Sequence, residues 1–155
     1  MPYRHTQTGW VAVVICLIVM VAFYLIPTPW EARQIAQPII CFILLLLAAM
    51  MAALTVEVDD ASVRVKFGVG LIHKSFRLDE IESCQPVRNK WRWGWGIRRI
   101  PDGWLYNVSG LNAVELVMHS GKKFRIGTDE PRRLADAIQA RLRKRSKGSE
   151  ISNHG

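Results

Sequence analysis

The chain has 155 residues, half of them hydrophobic, and a formal net charge of +8 at pH 7. The first 56 residues carry only Arg4, Glu31 and Arg33, whereas the other 99 carry 19 Lys and Arg against 12 Asp and Glu. That remainder can build one small domain with its own core, and its basic balance points to an anionic partner. The three cysteines form no CxxC pair and the four histidines are scattered, which argues against a disulfide scaffold, a metal site or a bound cofactor.

A short stub, residues 1–9, precedes two apolar, charge-free runs at 10–26 and 38–54, each 17 residues long. As a helix, such a run rises about 25 Å, and with neutral flanking residues it crosses a hydrocarbon core of about 30 Å. The first run ends Leu25-Ile26-Pro27-Thr28-Pro29-Trp30, without the paired small residues of a signal-cleavage site, so it reads as a retained helix. Trp10, Tyr24 and Trp30 stand where interfacial anchors belong. Pro27 and Pro29 end the first helix, and 27–37 reads as a short extracytoplasmic loop joining an antiparallel transmembrane hairpin. Ala48, Ala49, Ala52 and Ala53 either let the helices approach closely or face lipid. The distribution of Lys and Arg around the runs puts both termini in the cytoplasm.

From Thr55 onward the apolar period becomes two. Val56 and Val58, then Val63, Val65 and Phe67, alternate with polar residues around Asp59-Asp60-Ala61, which predicts a hairpin. After Gly68-Val69-Gly70, residues 71–78 read as a further strand; Lys74 interrupts its apolar face and marks an edge. A strand over 81–87 follows the Asp79-Glu80 turn. Residues 113–118 and 123–126, joined by His119-Ser120-Gly121, form the clearest hairpin. Thr128 or Asp129 then caps a helix containing Pro131, with Leu134, Ala135, Ile138 and Leu142 on its buried face. Residues 146–155 read as a disordered, basic and polar tail. The expected fold is α+β: a transmembrane hairpin, then an antiparallel sandwich or partial barrel over 55–145 plugged by one C-terminal helix.

This order resembles the bacterial pleckstrin-homology-like (PH-like) domain membrane proteins. The likeness rests on Val56-Glu57-Val58 with Val63-Arg64-Val65-Lys66-Phe67, on Phe76-Arg77-Leu78-Asp79-Glu80-Ile81, and on Trp95-Gly96-Ile97-Arg98-Arg99-Ile100-Pro101-Asp102-Gly103-Trp104-Leu105-Tyr106. The stretch from Leu116 through Gly127-Thr128-Asp129-Glu130-Pro131 completes it. The resemblance implies a non-enzymatic binding, oligomerising or assembly module in the bacterial inner membrane. Of the basic hairpin pattern of phosphoinositide-binding PH domains only Arg64-Val65-Lys66 is present, so that ligand is not part of the expectation.

The candidate site is the segment Arg88-Asn89-Lys90-Trp91-Arg92-Trp93-Gly94-Trp95-Gly96-Ile97-Arg98-Arg99. Indole rings favour the bilayer interface, and each cation near an anionic leaflet adds about 1 kcal/mol. Membrane or lipid contact is the leading reading, with Arg88, Lys90, Trp91, Arg92, Trp93, Trp95, Arg98 and Arg99 as its residues. Packing on the sheet, a subunit interface in a homo-oligomer and a protein partner's groove stand beside it; the tether argues against nucleic acid. Arg64 and Lys66, with Arg141, Arg143, Lys144 and Arg145, form a second basic candidate, although cations at a helix C-terminus are also ordinary. No nucleophile elbow, P-loop or dinucleotide fingerprint is present, so an enzyme is the remote alternative.

Overall fold

A computed structural model of the chain describes residues 3–27 and 29–152. In chain order the strands are β1 Tyr3–Thr8, β2 Ala53–Val58, β3 Ser62–Phe67, β4 Ile72–Arg77, β5 Ile81–Arg88, β6 Gly96–Ile100, β7 Gly103–Asn107, β8 Asn112–Met118 and β9 Lys123–Gly127. The helices are α1 Trp10–Leu25, α2 Trp30–Met51 and α3 Pro131–Ser152. Single 3-10 turns occupy Leu78–Glu80 and Trp91–Trp93.

The predicted N-terminal stub is a strand. β1 pairs antiparallel with β2, from Tyr3 opposite Val58 to Thr8 opposite Ala53, so α1 and α2 are inserted between two neighbouring strands of one sheet. The Gly9 amide donates to the Ala52 carbonyl at 2.8 Å and closes the base of the insertion. Gly9 is required there by proximity, since a Cβ would overlap the Met51 carbonyl. The strand was hidden because Tyr-Arg-His-Thr-Gln-Thr holds one aromatic and no aliphatic residue; its partner strand, not its own apolar content, fixes it.

α1 and α2 pack against each other, and their shared base makes them antiparallel. Within α2, Arg33–Met51 is long and apolar enough to cross a membrane; α1 is apolar but shorter. The helical boundaries differ from the sequence reading. α2 starts at Trp30 instead of 38, so the expected loop is mostly helix, because Glu31, Ala32, Arg33 and Gln34 are good helix formers. Pro38 sits inside α2, and the helix ends at Met51. Leu54, the end of the expected second span, is instead a buried β2 residue paired with Phe67.

The first sheet has the order β1-β2-β3-β4. Leu54, Val56 and Val58 of β2 and Val63, Val65 and Phe67 of β3 are all buried on one face, as their period of two requires. Burying each such side chain contributes about 1.5–3 kcal/mol. β4 is the edge that Lys74 marked. The second sheet has the order β5-β8-β9-β7-β6 and is antiparallel except where β7 runs parallel to β9. The β6–β7 hairpin was not resolved as strands in the sequence, since tryptophan, arginine and glycine obscure its alternation.

The sheets meet through Phe76, Phe124, Tyr106 and Phe67, with Phe76 and Phe124 at 4.8 Å between ring centres. α3 covers β5 and β8 through Leu134, Ala135 and Ile138. Thr128 Oγ1 accepts from the Glu130 amide at 3.1 Å, the expected cap. α3 continues through 146–152, where a tail was expected; the Arg and Lys run from 141 to 147, made of good helix formers, carries it past Leu142. The remainder of that tail, 153–155, lies outside the described residues.

Candidate membrane-facing site

Three contacts show which side of the domain faces the helices. The Tyr106 ring lies 6.2 Å from that of Phe67, the last residue of β3. A Cβ on Gly9 would lie 3.1 Å from Val108 Cβ, and the Ser109 hydroxyl donates to the Thr8 carbonyl at 2.9 Å. β7 and the residues after it therefore run across the helix-proximal ends of the first sheet. β6, paired only to β7, is the outer strand on that side.

The chain must travel from β5, at one edge of the second sheet, to β6 at the other, and residues 89–95 make that crossing. Four inter-strand gaps amount to about 19 Å, so the Trp-rich segment is a strap over the outer face. Beneath it, cross-strand register sets Gln85, Glu115, Arg125 and Leu105 in one row. Arg125 Nε donates to Glu115 Oε2 at 2.8 Å and Gln85 Nε2 to Glu115 Oε1 at 3.3 Å. The Arg125 guanidinium carbon lies 4.9 Å from the centre of the Trp93 ring. Arg125 and Glu115 are both largely buried, and Leu105 in their row is fully so.

The three tryptophans have three different situations. Trp93 is half-buried and packs on the sheet, with Lys90 Nζ at 6.0 Å on its ring. Trp91 is 81% exposed. Trp95, on the β6 side of the strap, lines a cleft of 510 Å³ together with Trp10, Val11, Gln7 and Ser109. Gln7 donates to the Ser109 carbonyl at 2.9 Å and forms part of its wall. Arg98 Nε donates to the Trp95 carbonyl at 3.1 Å and fixes the turn into β6. Arg88 and Arg92 are exposed, and Arg99 lines a separate basic cleft.

The second basic candidate is not continuous with this face. Arg64 pairs with Asp59 at 3.0 Å and Lys66 with Glu57 at 2.9 Å. The Lys66 ammonium holds the Glu57 carboxyl below its ordinary range, and the Ala61 amide does the same for Asp59. Arg141 pairs with Asp60 at 3.1 Å, in the β2–β3 turn at the end of the sheet away from α1 and α2. Arg143 and Arg145 line a shallow cleft with Asp79 and Glu82, and Lys144 is exposed on the same helix.

The β3–β4 turn falls at the expected Gly68-Val69-Gly70 break, but its apolar tip was not among the expected site residues. Val69 is 75% and Leu71 69% exposed, and a Cβ on Gly68 would collide with Ala49 and Met50 of α2. Two aliphatic residues at a turn tip beside the end of an apolar helix are an interfacial signal, legible as Val and Leu where turn chemistry calls for polar residues. Trp30 and Tyr24 lie at the opposite end of the helical pair, where the Arg33 guanidinium is 5.7 Å from the Tyr24 ring centre. Among the described residues, no group of three or more His, Cys, Asp or Glu is placed to hold a metal ion. No protein-family model matches the chain, and no curated protein matches it.

Proposed function

We propose that this chain is a two-helix membrane protein that presents a PH-like, non-catalytic binding module at the cytoplasmic face of a bacterial inner membrane. The module contacts anionic headgroups through its helix-proximal end. The observation that carries this reading is the cleft shared by Trp95 and Trp10, which ties the Trp/Arg strap to the first residue of α1. α1 rises about 24 Å over 16 residues, with Trp10 at one end and Tyr24 at the other. A span bounded this way sets Trp10, and Trp95 beside it, at the interface that indole rings prefer. Val69 and Leu71 reach the same level beside α2.

Holding the domain by two strands, instead of one flexible linker, limits its tilt and gives it a high effective concentration at the surface. Arg88, Lys90, Arg92 and Arg98 then act near the headgroups without an entropic search. Trp93 supports the strap, leaving Trp95 and the cations to make contact.

A second reading, an assembly or oligomerisation module, is favoured by the free edge of β6 and by exposed Trp91. An unpaired edge strand accepts a partner strand. Photocrosslinking of the full chain in its native membrane, with a benzophenone side chain at 91 or 95, separates the two. Lipid adducts at 95 are expected. A discrete protein adduct from both positions, with no lipid adduct, supports the assembly reading and contradicts the lipid one.

A further inference from the structure

β4 carries a charge where its pattern demands an apolar side chain. Ile72 pairs with Phe67, Lys74 with Val65 and Phe76 with Val63; these partners are all core residues, so Lys74 lies on the core-facing row. It escapes burial only because β4 is an edge. There it lines a cleft of 690 Å³ at the mouth between the two sheets, with Arg99, Trp104, Lys122, Lys123 and Asp102. The cations come from three separate places: Lys74 from β4, Arg99 from β6, and Lys122 and Lys123 from the end of the β8–β9 turn and the first residue of β9. Asp102 is the one carboxylate of the lining and lies 3.8 Å from Arg125. Among the described residues, none of Lys74, Arg99, Lys122 and Lys123 takes part in an ion pair. Converging cations left unneutralised beside an aromatic wall define an anion site.

We infer that this cleft binds a phosphate group, held by Lys74, Arg99, Lys122 and Lys123, and that its natural source is the headgroup of an anionic phospholipid. The choice of a headgroup rests on the membrane reading above. Lys74 is three residues past Leu71, about 10 Å along an extended strand. With the turn tip at the hydrocarbon boundary, that distance places the cleft at headgroup height. Planar Arg99 supplies a paired donor set, and the lysines supply point charges. The cleft is separate from the Trp-rich strap, so the two make separable contributions.

The test uses the full chain in nanodiscs of mixed phosphatidylglycerol and phosphatidylcholine, with retained lipid read by native mass spectrometry. Wild type should retain phosphatidylglycerol preferentially. Changing Lys74, Arg99, Lys122 and Lys123 together to Gln should reduce that preference about tenfold. Exchanging Lys for Arg and Arg for Lys at the same positions should keep most of it, which excludes misfolding as the cause. The strap variant Lys90→Gln/Arg92→Gln removes the separate strap contact and should reduce the preference by a smaller factor than the four-residue Gln variant does. A Gln variant that retains the wild-type preference overturns the cleft. If the strap variant then loses the preference, headgroup binding stands without the cleft; if it too retains it, both fall. In nanodiscs of phosphatidylcholine alone, binding of inorganic phosphate that the Gln variant loses would support the phosphate site and assign it a soluble source.

Discussion

The Gly9 amide and the Ala52 carbonyl meet at 2.8 Å and join the start of α1 to the end of α2. Because Thr8 and Ala53 are also paired, the helical pair is an excursion from a β-ladder, clamped on both sides. Gly9→Leu should break this junction by driving a side chain into the Met51 carbonyl. A loss of about 2–4 kcal/mol is expected, read as a lowered Tm of the full chain in detergent.

Trp93 and Trp91 should separate cleanly in denaturant unfolding. Trp93→Ala removes the ring over Arg125 and should lower stability by about 1–2 kcal/mol. Trp91→Ala, at an 81% exposed site, should change it by less than about 0.5 kcal/mol. Arg125→Met leaves the Glu115 carboxylate buried without its cation and should lose about 3 kcal/mol. Adding Glu115→Gln should recover much of that loss.

The same strap shows what the sequence does and does not reveal. The alternation of Val63, Val65 and Phe67, and of Val114, Leu116 and Met118, declares strands because one face of each is core. The α3 stripe is equally plain. β1 and β6 are illegible by that rule: both are edge strands, stabilised by a neighbour across the ladder more than by their own apolar content. The tryptophans at 91, 93 and 95 mark a candidate site, but periodicity cannot reveal that a crossing of the sheet turns one ring inward onto Arg125. Lys74 is legible as an edge marker; the cleft it enters also needs Asp102 and Lys122, which stand 28 and 48 residues further along the chain.

Acid should destabilise the domain through carboxylates held in their charged form. Lys66 lowers the Glu57 carboxyl, the Ala61 amide lowers Asp59, and Arg77 lowers Asp79. A depressed carboxyl contributes stability above its unfolded value, about 4, and loses it as pH falls through the folded value. Tm should be level between about pH 7 and 5 and fall below about pH 4. Each step is small because these partners are exposed to solvent screening.

Cys84 should resist thiol reagents while the domain is folded. It is 6% exposed, its Sγ donates to the Ala135 carbonyl at 3.6 Å, and burial pushes its thiol up to about 11. With Cys16 and Cys41 changed to Ala, maleimide at pH 7.5 should label the chain only as it unfolds. Prompt labelling of native protein would contradict the packing of α3 on β5.

The placement of the domain is tested most directly by the depth of nitroxides in the full chain, reconstituted in vesicles with the native cysteines replaced. Single labels at 71 and 95 should be accessible to membrane-dissolved oxygen and shielded from an aqueous nickel chelate. Labels at 60 and 145, at the far end of the first sheet and on α3, should show the reverse. If 71 and 95 are as open to the chelate as 60 and 145, the helix-proximal end does not meet the bilayer and the account is wrong.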